Sequence, residues 1–231
     1  MRIWVTRAQP QADATAARLI SLGHEPVVAP VIHTQALPIS LADFAGAGAL
    51  ALTSQAAVAA LADLVDQLKH LPVFAVGDST KKAAQQAGFE RVYSAQGNVS
   101  DLAALIAGNA APERGPPIAG PIIHASALEP AGNLVGDLIK AGYLARRVAV
   151  YRTIGAALKQ VPPSVDALMI HSAAAAKAVA GLISADQARG LRLYGLSDDA
   201  VLPLNAFNFA NKAIAPFANE TSILSLLSLN P

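Results

Sequence analysis

The chain has 231 residues, with 17 Lys and Arg against 16 Asp and Glu, for a formal net charge of +1 at pH 7. So even a balance excludes bulk electrostatic attraction to DNA, RNA or an acidic membrane as its organising function. With no cysteine, disulfides, thiolate metal sites and cysteine nucleophiles are excluded as well, while 53% apolar and only 14% charged residues suit two small domains with real cores.

The opening run Ile3-Trp4-Val5 reads as a short buried strand. Residues 12–22 carry apolar side chains at helical spacing, and Gly23 is placed to end that helix in a left-handed conformation. Residues 26–32 return as a strand, completing a β-α-β unit whose crossover should be right-handed. No long apolar run follows Met1, so no signal peptide is expected, and a cytoplasmic location is. The stretch 46–65 is weakly polar, but Thr53, Ser54, Gln55 and Asp63 interrupt it; it reads as strand then helix, not as a membrane span.

The alternation continues with a strand at 49–52, a helix at 56–68, a strand at 73–76 and a helix at 80–87 closed by Gly88. A short strand at 92–93 and a helix at 100–106 lead to 108–121, which Gly and Pro mark as a loop. A second round begins at Ile122, with a helix at 133–141 closed by Gly142 and a strand at 147–151. Then come a strand at 167–170, a helix at 173–183, a strand at 191–194, a helix from Ser197 that Pro203 should kink, a strand at 212–215 and a helix at 222–229. Alternating strands and helices specify an α/β fold with parallel sheets.

The two rounds match at long range. Ser172 stands 118 positions after Ser54, and Gly195-Leu196-Ser197 stands 118 after Gly77-Asp78-Ser79. Ile122 follows Ile3, and Gly142 follows Gly23, by 119. A duplication predicts two similar lobes, and a cleft between lobes is a natural ligand site.

Four strands end in hydroxyl or glycine residues just before a helix: Thr53-Ser54, Gly77-Asp78-Ser79-Thr80, His171-Ser172 and Gly195-Leu196-Ser197. Such residues cap helices. Helix N-termini also attract anions, and ligands of open α/β sheets gather at the carboxyl ends of strands. A ligand with several carboxylates would suit them. Gly46-Ala47-Gly48 precedes a strand, where a dinucleotide fingerprint needs glycines after one. His24, His33, His70, His124 and His171 show no metal-ligand spacing and read as surface or core residues, with His171 alone at a strand end. Asp78, Asp198 and Asp199 read as helix-start residues. Tyr151 closes a strand and, on local grounds, is a packed aromatic with one hydrogen bond.

In order and spacing these segments resemble the uroporphyrinogen-III synthase family. The resemblance runs through Val5-Thr6-Arg7, Leu22-Gly23-His24-Glu25-Pro26, Pro30-Val31-Ile32 and Leu52-Thr53-Ser54-Gln55-Ala56-Ala57-Val58. It continues through Ala75-Val76-Gly77-Asp78-Ser79-Thr80, Ala87-Gly88-Phe89 and Val148-Ala149-Val150-Tyr151-Arg152-Thr153. It implies two flavodoxin-like parallel-sheet lobes joined by a two-stranded linker, with the active-site cleft between them. Lobe one would be residues 1–34 plus 154–231, lobe two residues 38–149, and the linker strands about 32–37 and 150–153.

The resemblance implies the cyclisation of hydroxymethylbilane to uroporphyrinogen III, with loss of water and inversion of ring D. The substrate is a linear tetrapyrrole with eight carboxylates, no cofactor or metal takes part, and a monomer is the family's usual state. The proposed chemistry is loss of hydroxide to an azafulvene, attack at the substituted ring-D carbon to a spiro intermediate, then fragmentation and reclosure. Tyr151 matches the family's linker tyrosine and would donate to the departing hydroxyl, since a phenol is protonated at neutral pH. Thr6, Arg7, Thr53, Ser54, Gly77, Ser79, Thr80, His171, Ser172, Gly195 and Ser197 are carried over as substrate contacts, partly through backbone N–H groups.

The second round departs from the family pattern. Gly195-Leu196-Ser197-Asp198 stands where Gly-Pro-Thr-Thr is usual, His171 where Thr is common, and residues 128–136 lack an expected basic residue. A non-catalytic two-lobe binder of a tetrapyrrole or other polyanion is the alternative reading. A periplasmic-type receptor would need the signal sequence that is not expected here.

Overall fold

The structure is a computed structural model describing residues 1–109, 118–130 and 132–229. In the first half the chain forms β1 (Arg2–Val5), α1 (Gln11–Ser21), β2 (Glu25–Val28), β3 (Ile32–Ala36), β4 (Ala49–Leu52), α2 (Gln55–Ala60), α3 (Val65–Leu68), β5 (Pro72–Ala75), α4 (Asp78–Ala87), β6 (Arg91–Ser94) and α5 (Val99–Asn109). In the second it forms β7 (Ile122–Ala127), α6 (Leu134–Lys140), β8 (Ala145–Gly155), β9 (Ala167–Ile170), α7 (Ala173–Ala180), α8 (Ala185–Arg189), β10 (Arg192–Gly195), α9 (Asp198–Val201), β11 (Asn211–Ile214) and α10 (Glu220–Leu229).

The chain divides into two compact units. Unit 1 is Met1–His33 with Thr153–Pro231, and unit 2 is Thr34–Arg152. Unit 1 holds a sheet of order β11-β10-β9-β1-β2, each neighbouring pair parallel. The second sheet has the order β3-β8-β7-β4-β5-β6, parallel from β8 to β6.

Laid beside one another, the two orders show what the duplication built. β7 stands for β1, β8 for β2, β4 for β9, β5 for β10 and β6 for β11. The repeats run in tandem along the chain, yet each unit combines part of one repeat with part of the other. Unit 1 takes its β-α-β start from the first repeat and its last three strands from the second.

Local geometry repeats as closely. After α1, Gly23 has φ +79°, its N–H bonds to Ile20 O, and His24 N–H reaches back to Leu19 O. After α6, Gly142 has φ +89°, bonds to Ile139 O, and Tyr143 reaches Leu138 O. Both are Schellman ends that need a left-handed residue. Ser54 (φ −157°, ψ 155°) and Ser172 (φ −160°, ψ 154°) are extended N-caps of α2 and α7. The 118-residue pairing of Gly77 with Gly195 does not survive: Gly77 caps α4, whereas Gly195 ends β10 and Ser197 caps α9. The counterpart of Gly77 is therefore Ser197, because the second repeat is two residues longer between these turns.

Each sheet is buried on both faces, as parallel sheets require. β4 and β9 are wholly buried. In unit 2, Leu50, Leu52, Val73 and Ile123 pack on one face and Ala49, Ala51, Phe74 and Ile122 on the other. In unit 1, Trp4, Leu168 and Ile170 face one way and Ile3, Val5 and Met169 the other. The Trp4 indole donates to Ala29 O at 2.7 Å.

Several expected elements are redrawn. The strand expected at 26–32 is two strands in different sheets, β2 and β3, parted at Pro30, which has no N–H for a ladder. The helix expected at 56–68 is α2, a 3₁₀ turn (Ala62–Leu64) and α3, a break that keeps Leu61, Val65 and Leu68 in the core. Residues 173–183 stop as α-helix at Ala180, and α8 follows on a Ser184–Gln187 capping box. The helix after Ser197 lasts only to Val201, where Pro203 turns it into a 3₁₀ segment, Leu202–Leu204. The strand expected at 147–151 is the longer β8. Most of the expected 108–121 loop lies outside the described residues.

Candidate active site

In unit 2, β4 ends at Leu52 and the next two residues point to opposite faces of the sheet, as alternation dictates. Ser54 begins α2: its Oγ accepts from Ala57 N–H at 3.2 Å and donates to Tyr151 Oη at 3.0 Å. Tyr151 comes from β8 and packs with Val148 and Val150 against the core face that includes Leu52. Either hydroxyl can donate in that bond; with Ser54 as the donor, the Tyr151 O–H hydrogen is left to donate onward. Thr53 faces the other way, with its Oγ1 3.3 Å from His124 Nε2. His124 is buried, and its pKa is lowered to about 4, first by burial and then by the positive charge of Arg147.

The next turn of unit 2 holds Gly77, Ser79 and Thr80. Gly77 caps α4 in an extended conformation (φ −152°) and brings no side chain to its N–H groups. A Cβ there would meet open space, so neither strain nor crowding demands glycine. Asp78 and Ser79 are exposed in the first turn, while the Thr80 side chain is buried and its N–H bonds to Gly77 O. Thr80 therefore serves the core, and the contacts open to a ligand at this turn are at Gly77 and Ser79.

In unit 1 the predicted residues are already engaged by protein. Thr6 is fully buried and donates its hydroxyl to Met169 O at 2.6 Å, tying β1 to β9. Arg7 Nη1 is 2.6 Å from Glu220 Oε2 and 3.3 Å from Thr15 Oγ1. The Thr15 hydroxyl donates to Glu220 Oε1 at 2.6 Å, and His171 Nε2 lies 3.2 Å from Oε2. Burial lowers the His171 pKa, outweighing its contact with Glu220. Burial alone would raise the Glu220 pKa; contacts with His171, Thr15 and Arg7 outweigh it and hold the carboxyl at about 2. Ser172 and Ser197 accept from Ala175 N–H at 3.3 Å and Ala200 N–H at 3.2 Å, as caps.

Gly195 is a packing residue, since a Cβ there would collide with Val201 and come within 2.8 Å of Ile214 Cδ1. Asp198 is exposed in the first turn of α9 at the place Asp78 takes in α4, where a carboxylate favours the helix dipole.

Sequence reasoning passed over Thr15 and Glu220, and it read His124 as a surface or core histidine without its contact to Thr53. His124 sits inside a strand with no motif around it. Glu220 reaches Arg7 from 213 residues away, a distance no local pattern spans. Among the described residues no three His, Asp or Glu side chains group as metal ligands, and no helix is long and apolar enough to cross a membrane.

A sequence family described as uroporphyrinogen-III synthase HemD matches residues 13–225. The chain belongs to the uroporphyrinogen-III synthase family. It is a cyclising lyase of porphyrin and heme biosynthesis that converts hydroxymethylbilane into uroporphyrinogen III with loss of water and inversion of ring D. The fold is similar to that of uroporphyrinogen-III synthetase from Helicobacter pylori, with TM-score 0.66 and 18% identity over 99% of each chain. A mutant uroporphyrinogen III synthase from Thermus thermophilus gives TM-score 0.56 and 15% identity over 99% of this chain and 98% of that one. No curated protein sequence matches the chain.

Proposed function

We propose that Tyr151 is the catalytic acid of this synthase, acting from unit 2 on the hydroxyl group that leaves hydroxymethylbilane. The observation that carries this is the Ser54–Tyr151 hydrogen bond of 3.0 Å. It fixes the phenol oxygen at a strand end, and with Ser54 as the donor the phenol proton moves toward the departing oxygen. Hydroxide then leaves as water, and the substituted carbon of ring D attacks the methylene of the azafulvene left behind, the proton released on final rearomatisation restoring the phenol. Fragmentation and reclosure of the spiro intermediate give isomer III.

In unit 2, carboxylates of the substrate are met by short-range donors: the Thr53 hydroxyl, Ser79, and the backbone N–H groups at the start of α4, where Gly77 stands. Thr6, Thr80 and Gly195 act through packing, and Arg7 and His171 act through Glu220. Holding one conformer of the linear substrate is the larger task, because orientation of this kind can supply roughly 7–11 kcal/mol in favourable intramolecular cases. The protein would work as a cytoplasmic monomer without metal or organic cofactor, as the family resemblance implies.

The test is to generate hydroxymethylbilane enzymatically in the presence of the protein, oxidise the product and separate uroporphyrin isomers I and III by chromatography. Predominant isomer III with wild-type protein, and its slower formation with Tyr151→Phe, is the expected result. Only isomer I from folded protein would leave a non-catalytic tetrapyrrole binder.

A further inference from the structure

His124 is 2% exposed and lies inside β7, opposite Ala51 of β4 and Arg147 of β8. A buried imidazole is costly without a hydrogen-bond partner. Here its Nε2 reaches forward to Thr53 Oγ1 at 3.3 Å. Thr53 and Ser54 thus have parallel arrangements on opposite faces of one strand end. Each hydroxyl is met by a side chain from another strand, Thr53 by His124 of the adjacent β7 and Ser54 by Tyr151 of β8, one strand further on. Ser54 is held additionally by its cap to α2. A threonine hydroxyl otherwise rotates among staggered positions.

We propose that His124 is a positioning residue that holds the Thr53 hydroxyl in the orientation that receives a substrate carboxylate. The inference rests on the reading of Thr53 as a carboxylate contact. With the proton on Nε2, His124 donates to Thr53 Oγ1 and the threonine's own hydrogen is left for an anion. With the proton on the other nitrogen, Thr53 would spend its hydrogen on the ring and turn lone pairs toward the carboxylate. The working state is therefore the neutral Nε2–H tautomer, and burial beside Arg147 keeps the ring neutral.

Steady-state kinetics on the full chain with hydroxymethylbilane test this. Thr53→Val should raise KM about 3- to 10-fold with kcat little changed, the size of one hydrogen bond made equally in ground and transition states. His124→Leu should raise KM to the same degree, and the double variant should be no worse than Thr53→Val alone, because both remove one interaction. His124→Gln places an N–H near the position of Nε2 and should restore most of the affinity; His124→Asn is too short and should not.

Additive effects of His124→Leu and Thr53→Val, or wild-type KM in His124→Leu when Thr53→Val is impaired, would overturn the role of His124 alone. Wild-type KM in Thr53→Val would remove Thr53 from the site and His124 with it. If circular dichroism shows that His124→Leu does not fold, the comparison of His124→Gln with His124→Asn decides, and equal KM values for those two would overturn the proposal.

Discussion

Arg7 Nη1 and Glu220 Oε2 lie 2.6 Å apart, joining the end of β1 to the start of α10. Glu220 also takes the Thr15 hydroxyl and contacts His171, with Arg18 Nη1 at 3.9 Å on its outer side. The guanidinium that resembled an open carboxylate receptor is already closed on an internal carboxylate. Glu220→Gln keeps the shape and removes the charge, leaving a half-buried Arg7 without its counter-ion. Breaking a buried pair costs about 3–5 kcal/mol, and partial exposure here brings the expected loss to about 2–3 kcal/mol. Urea unfolding at pH 7 measures it. A loss below about 0.5 kcal/mol would show that the pair is screened and that Arg7 is available to solvent anions.

Acid should unfold the protein in two separable steps. His124 titrates near 6.5 when unfolded and at about 4 when folded, so its neutral burial stabilises the fold above pH 6.5 and that stability drains as pH falls to about 4. Glu220 is lowered from 4.5 to about 2, so its contribution is intact above pH 4.5 and is lost as pH falls toward 2. The His124 and Glu220 shifts each correspond to about 3 kcal/mol. The upper step should shrink in His124→Gln and the lower in Glu220→Gln, read from unfolding free energies at about pH 7, 4 and 2.5. Identical pH profiles for wild type and both variants would show that neither group is linked to folding.

Much of this was legible because it is local. The periodicity of residues 12–22, the Gly23 end and the hydroxyls before helices are short-range chemistry, and they place the turns of both repeats. The assortment of β1 and β2 with β9 to β11 is not written in any window of sequence; only the family resemblance anticipated discontinuous lobes. The pairing of Gly77 with Gly195 looked sound as a motif and failed because two extra residues moved the cap from the glycine to Ser197. Site residues were read from where strands end, which singled out Ser54 and Tyr151, 3.0 Å apart in the fold. It misses His124 and Glu220, whose roles depend on contacts across strands and across most of the chain.

Gly77 offers a test of anion binding at a helix start. Ser197, its counterpart, caps α9 with a side-chain oxygen, whereas Gly77 caps α4 with none. A Cβ added at Gly77 meets no atom within 4 Å, and Gly77→Ser needs no unusual backbone. It should stabilise the fold by a few tenths of a kcal/mol, the usual difference between serine and glycine as N-caps. The new oxygen would also accept the N–H groups proposed for a substrate carboxylate, raising KM severalfold. Greater stability with unchanged KM would exclude the start of α4 from substrate binding.

Tyr151 and Ser54 separate the chemistry from the support around it. Tyr151→Phe leaves the ring packed on Val148 and Val150 and removes a single oxygen. Ser54 then loses an acceptor but keeps its bond from Ala57 N–H, so the stability cost should stay near about 1 kcal/mol. Loss of the proton donor should lower kcat about 10- to 100-fold while KM changes less than about twofold, since the bond to the departing oxygen forms in the transition state. Ser54→Ala keeps the phenol but frees it to rotate and uncaps α2. It should cost about 1 kcal/mol of stability with a smaller fall in kcat. Wild-type turnover in Tyr151→Phe would assign the departure of hydroxide to the substrate's own pyrroles and reduce Tyr151 to a packed aromatic.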